Sequence, residues 1–122
     1  MNNFHGAALE TALAYHRAWT SHDFETAMTY VADDITCDAP AGQLLGATAF
    51  RGFMGPFVEI VTSTELFAAF GDDEQALLVY QTHTDRVADA PGAEWLTVRN
   101  GRITHMRIIF DRLPFTASSR RG

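Results

Sequence analysis

From residue 62 onward the chain reads as four extended stretches, 62–70, 75–86, 93–99 and 102–111, parted by the turn signals "GDDE" (71–74), "ADAPGA" (88–93) and "RNG" (99–101). Short turns of this composition join antiparallel neighbours, so the second half of the chain is a meander. The first half has a different period. Phe4, Ala8, Ala12, Tyr15 and Trp19 recur at three or four residues, with Leu9 and Leu13 beside them, which predicts an amphipathic helix over 4–20. Asp23 is placed to cap a shorter helix over about 24–31. "ITCD" alternates like a strand, and Pro40 and Gly42 end it. A third helix begins near Ala47 with Phe50, Phe53, Met54 and Phe57 on one face, and Gly55–Pro56 should kink or divide it. Helices first and strands after is an α+β arrangement, with three N-terminal helices packed on one face of a mostly antiparallel sheet.

Composition narrows the function. A chain of 122 residues is one domain, able to bury about two-thirds of its unfolded surface. Residues 1–115 are expected to form it, and 116–122, "TASSRRG", read as a flexible tail. The net charge of −6 excludes a phosphate-binding basic face, so no nucleic-acid partner is expected. No apolar run reaches the ~20 residues of a membrane span. The first 23 residues lack a basic start followed by an apolar core, so a cytoplasmic location is expected. The single cysteine, Cys37, fits a small apolar strand residue in a reducing compartment. There is no glycine-rich phosphate loop and no closely spaced metal-ligand cluster, so neither cofactor nor metal is expected. Asp33 and Asp34 are expected to end the second helix in solvent, and Asp111 to end the last strand as a structural partner.

The stretch 77–85 is half apolar at both its odd and its even positions, so periodicity alone does not choose the buried face. A sheet apolar on both faces has two things to cover, helices on one side and a partner subunit on the other. A homodimer through the outer sheet face is therefore expected.

"AWTSHDFETAMTYVADDIT", "APAGQLLGATAFRGF", "ALLVYQTHT" and "WLTVRNGRITHMRIIFD", in this order, resemble the nuclear transport factor 2-like superfamily in its SnoaL-like and ketosteroid isomerase-like branches. The resemblance implies a cone in which three helices close over a strongly curved sheet around an apolar pocket. It also implies site positions. Tyr15 falls where the isomerases carry a tyrosine that donates to the enolate oxygen, and Glu94 at or beside their protonated acid, a carboxylic acid kept neutral by its surroundings. Their proton-abstracting aspartate directly precedes the proline. Here that position is Ala39, and the acid stands one residue earlier, at Asp38. A one-residue shift turns a strand side chain to the other face, while a bulge beside Pro40 would turn it back. Polyketide-cyclase members carry an inward histidine and acid on the last strand, where this chain has Met106 and Ile108.

Carrying that facing along the sheet places Leu77, Val79, Gln81 and His83 inside, with Leu96, Val98, Thr104, Met106, Ile108 and Phe110. Trp19, Phe53 and Phe57 join them from the helices. His83 is then the readily ionisable base of the cup, facing Glu94. His105, Arg107, Tyr80, Trp95 and Ile109 fall on the outer face. Two readings follow. In the first, the protein is an isomerase or lyase moving a proton on a small apolar carbonyl-type ligand without a metal. His83 would be its base, Tyr15 and Glu94 its donors, and Asp38 a reserve base. In the second, the same fold is a non-catalytic dimeric module that binds a ligand or a protein.

Overall fold

The computed structural model describes residues 6–110. Three helices, α1 (Ala7–Thr20), α2 (Phe24–Met28) and α3 (Ala47–Ile60), pack against one six-stranded sheet. Its strands are β1 (Val31–Ala39), β2 (Gly42–Leu45), β3 (Val61–Gly71), β4 (Gln75–Thr84), β5 (Ala90–Arg99) and β6 (Arg102–Phe110). The sheet order is β2-β1-β6-β5-β4-β3. The β3-to-β6 meander is antiparallel, as the turn signals require, and the one parallel pair, β1 with β6, joins it to the N-terminal half. This is the expected α+β cone, with the helices on the concave face of a curved, open sheet. Among the described residues no helix is long and apolar enough to cross a membrane.

Local chemistry explains the boundaries. Asp23 caps α2, its carboxylate accepting from the Thr26 N–H at 3.3 Å. That helix ends at Met28, earlier than the sequence predicts, because β1 already begins at Val31 and takes in Asp33 and Asp34. Both acids are exposed, where the register with β6 shifts between Val31 and Thr36. α3 runs undivided through Pro56. The proline denies the Gly52 carbonyl its helical N–H, and Gly52 lies exposed to water. β2 was not foreseen, and β5 starts at Ala90, inside the stretch read as a turn. Pro91 stands at the second position of β5, near the beginning of the strand, where proline is best tolerated. Phe4, Asp111 and the expected tail lie outside the described residues.

The start of α1 is tied to the β3–β4 turn. The Ala8 and Leu9 N–H groups donate to the Asp72 carbonyl at 3.1 and 3.3 Å, and the Ala7 N–H donates to Asp73 Oδ1 at 3.0 Å. The turn is itself braced, since Asp72 Oδ1 accepts from the N–H groups of Glu74 and Gln75. Gly6 makes this approach possible: its φ is +146°, and a Cβ there would collide with the Asp72 backbone. Gly6→Ala is expected to lower stability by at least about 2 kcal/mol. Thermal denaturation checks this, and an unchanged melting temperature would mean that α1 is not anchored at this turn.

Candidate functional site

The interior is built on one face of α1. Tyr15 and Trp19 are four residues apart, and His16 is three before Trp19, so all three side chains lie side by side along the helix. They point at β4 and β5, where cross-strand register sets the partners: Leu78 opposes Glu94 and Tyr80 opposes Gly92. Tyr80 is the centre of the cluster. Its ring lies 5.0 Å from that of His16 and 5.8 Å from that of Trp19, centroid to centroid, and its hydroxyl donates to Glu94 Oε2 at 2.8 Å. Phe50 and Phe57 of α3 close the side, against Tyr15 and Trp19 respectively. Leu96, Met106 and Ile108 form the sheet floor, with Cys37 from β1.

Glu94 has no exposed surface. Burial pushes its carboxyl up to about 7, against the weaker opposing pull of the Tyr80 hydrogen bond. Tyr15 and Tyr80 are pushed well above the ordinary phenol range, by burial first and then by the Glu94 charge. Burial, helped by the neighbouring Arg17, lowers His16 to about 4, so its imidazole is neutral at physiological pH. Burial, with Glu94 and Asp38 nearby, raises the Cys37 thiol to about 12, which makes it an inert apolar residue.

Four atoms in this cluster, Tyr15 Oη, His16 Nδ1, Trp19 Nε1 and Glu94 Oε1, are buried with no hydrogen-bond partner. Leaving a buried polar group bare costs about 1–3 kcal/mol, so four would cost about 4–12 kcal/mol. That is comparable to the whole stability of a domain, about 5–15 kcal/mol. Such atoms must be served by water or by a bound molecule. Their gathering around one tyrosine marks this interior as the candidate site.

The expected site residues divide between the two faces. Tyr15, Glu94, Trp19, Leu96, Met106 and Ile108 are inside and buried, and Phe53, Phe57 and Phe110 pack against the core. Thr104 sits beside a register shift at the β5–β6 turn, its hydroxyl donating to the Thr97 carbonyl. The β4 assignment is corrected by one residue. Ala76, Leu78, Tyr80 and Thr82 face the helices, whereas Leu77, Val79, Gln81 and His83 face outward. His83 therefore does not face Glu94. It contacts the Ala88 carbonyl through Nδ1 and lies 3.4 Å from both Glu65 and Asp89. Asp38 also faces outward, opposite to Cys37. Its carboxylate accepts from His105 Nε2 at 2.9 Å and from Arg107 and Gln43 at 3.3 Å, contacts that hold it below the usual carboxylate range, His105 foremost. Tyr80 moves from the outer face to the centre of the site. His16 was not singled out. The signal available for it was its place three residues before Trp19, on the face already read as buried.

Residues 12–106 match the sequence profile of the SnoaL-like domain. The chain belongs to the SnoaL-like family, within the nuclear transport factor 2-like superfamily. It is 57% identical to a protein of known crystal structure from Kribbella flavida DSM 17836, covering 94% of this chain and 95% of that one with a TM-score of 0.93. At 18% identity it superposes on a putative SnoaL-like polyketide cyclase from Shewanella denitrificans OS-217, covering 93% of this chain and 96% of that one with a TM-score of 0.70. At 17% identity it superposes on an NTF2-like protein of unknown function from Cytophaga hutchinsonii ATCC 33406, covering 87% and 91% with a TM-score of 0.72. No curated protein matches the chain.

The two shifted groups act on stability in opposite directions. Glu94 is raised from 4.5 to about 7, so the folded state holds an extra proton and stability falls as pH rises through that window. His16 is lowered from 6.5 to about 4, so the unfolded state holds the extra proton and stability rises with pH between 4 and 6.5. Between pH 4.5 and 6.5 the two slopes oppose each other. Glu94→Gln should steepen the rise in stability with pH across 4 to 6.5, relative to the unsubstituted chain. His16→Phe should leave a steeper fall across 4.5 to 7. Urea unfolding at several pH values reads both slopes, and identical profiles for all three proteins would contradict the assigned burial of these groups.

Proposed function

We propose that the protein binds a small, mostly apolar, oxygen-bearing molecule in the interior around Tyr80 and moves a proton on it, as an isomerase or lyase without a metal. The observation that carries this reading is the set of four buried polar atoms without partners. Glu94 is the proton-transferring group. A carboxyl titrating near 7 is poised to take and return a proton at neutral pH, and Tyr80 fixes its orientation. Tyr15, held in its protonated form, donates to the oxygen on which charge develops. The putative polyketide cyclase among the structural relatives supports a small-molecule role at the level of fold. His83 and Asp38, both turned outward, take no part.

Native mass spectrometry of the purified protein is the first test, expected to show a co-purified neutral compound. Once a substrate is in hand, Glu94→Gln should lower turnover about 10²- to 10⁴-fold. Tyr15→Phe should lower it about 10²- to 10³-fold, the cost of one oxyanion donor. Turnover unchanged in both variants would exclude this chemistry.

The non-catalytic reading is favoured by a separate observation, the apolar outer face of the sheet. Phe70, Leu77 and Trp95 follow one another across β3, β4 and β5 in register, and Ile109 lies one row away opposite Ala93. Trp95 is 43% and Ile109 54% exposed. This face is proposed as the contact of a homodimer, which either reading accommodates. Trp95→Arg is expected to yield a folded monomer in sedimentation velocity, where the unsubstituted chain sediments as a dimer. A monomer in both would remove this contact.

A further inference from the structure

The hydrogen-bonding sense of the four unpartnered atoms limits what the interior accepts. Trp19 Nε1 is a donor only. Tyr15 Oη, kept protonated, is available as a second donor. We take the neutral imidazole of His16 as the Nε2–H tautomer, the commoner one for free histidine, which leaves Nδ1 an acceptor. Glu94 already receives the Tyr80 proton on Oε2, and Oε1 faces the cluster bare. Two donors and an acceptor therefore lie in the buried cluster that holds Tyr80 and the Glu94 carboxyl.

Charge supplies the second limit. All nine cationic side chains of the chain are arginines, and each of those among the described residues is exposed. Among the described residues the buried polar ones are His16, Thr82 and Glu94, and Thr82 is occupied with the Ala90 carbonyl. A ligand carboxylate would meet no described cation here and would sit against another acid. Burying a charge without a partner costs several kcal/mol.

We propose that the interior recognises an uncharged molecule bearing both a carbonyl and a hydroxyl group, with Trp19 and Tyr15 donating to the carbonyl oxygen and His16 accepting from the hydroxyl. This rests on the ligand-binding reading above and adds His16 and Trp19 to it as residues that determine specificity. The three rings of His16, Trp19 and Tyr80 form one mutually packed group. His16 packs on Tyr80 at 5.0 Å and Trp19 at 5.8 Å, and the His16 and Trp19 rings meet each other edge to face at 5.2 Å.

Three single-ring probes separate the terms: 4′-hydroxyacetophenone, acetophenone, and 4-hydroxybenzoate. Binding is followed by the indole N–H resonances of Trp19 and Trp95, assigned with a Trp95→Phe variant. The expected result is that 4′-hydroxyacetophenone shifts the Trp19 signal. It should bind about 3- to 10-fold more tightly than acetophenone, the worth of one hydrogen bond. It should bind more than about 30-fold more tightly than 4-hydroxybenzoate, the effect of an unpaired charge. His16→Phe should abolish the preference for the hydroxyl while leaving acetophenone affinity within about threefold. Tight binding of 4-hydroxybenzoate, or a hydroxyl preference that survives His16→Phe, overturns the specificity assignment and leaves the ligand-binding reading standing. If no probe moves the Trp19 signal, both fall.

Discussion

A carboxylic acid with no accessible surface, held by one tyrosine hydroxyl, is the constraint on which the interior of this protein depends. Glu94 sits on a central strand, where its backbone is fixed by β4 on one side and β6 on the other. Its side chain has no exposed surface, so the surroundings must tolerate either a neutral acid or an uncompensated anion. They are arranged for the first. Tyr80 orients one oxygen, and the aromatic rings and the apolar floor keep the dielectric low. The same burial that raises Glu94 lowers His16, so both groups are neutral in the folded protein at mildly acidic pH. A core so built gives up stability, because polar atoms placed there forgo hydration. In exchange its donors and acceptors are held in fixed positions, the preorganisation on which the proposed ligand specificity rests.

The sequence carried the fold further than it carried the site. Helical spacing fixed α1 and its buried face, and the turn signals separated the four meander strands close to where they lie. Tyr15 and Trp19 were legible because they fall on the apolar face of α1, and Glu94 because the family resemblance places an acid there. β4 was not legible. Leu77 and Val79 on one face match Leu78 and Tyr80 on the other in apolar character, and only the pairing of Leu78 with Glu94 decides which face meets the helices. That pairing is a long-range fact, absent from the period of one strand. The error displaced His83 inward and Tyr80 outward together, since a strand carries all its side chains over at once. β2 escaped notice because four residues leave too little pattern.

The outer face makes a contrast with the inner one. There, Asp38 is shared by His105, Arg107 and Gln43 across three strands, and Trp95 packs edge-on against His105 with its indole N–H given to Gln75. These polar groups are satisfied by one another, half in solvent, whereas the inner ones are not. An acid near Pro40 is thus present in the sequence but serves the sheet, tying β2, β1 and β6 together at one height. Among related folds, then, the residue type near that proline is a poor guide to chemistry unless the face is known.

The order of the sheet has a consequence for how the molecule is made. β6, the last described strand, is interior, lying between β1 and β5. A ribosome releases β1 and β2 long before it releases the strand that covers β1's free edge. Until then the N-terminal half presents an unpaired edge together with the apolar residues Ile35 and Cys37, which the finished protein buries completely. The meander meets the same delay, since β5 lacks its second neighbour until that moment. The two halves are therefore joined by the arrival of one late segment. The nascent chain passes through a long interval in which aggregation competes with closure, and it ends only when β6 slides into the gap.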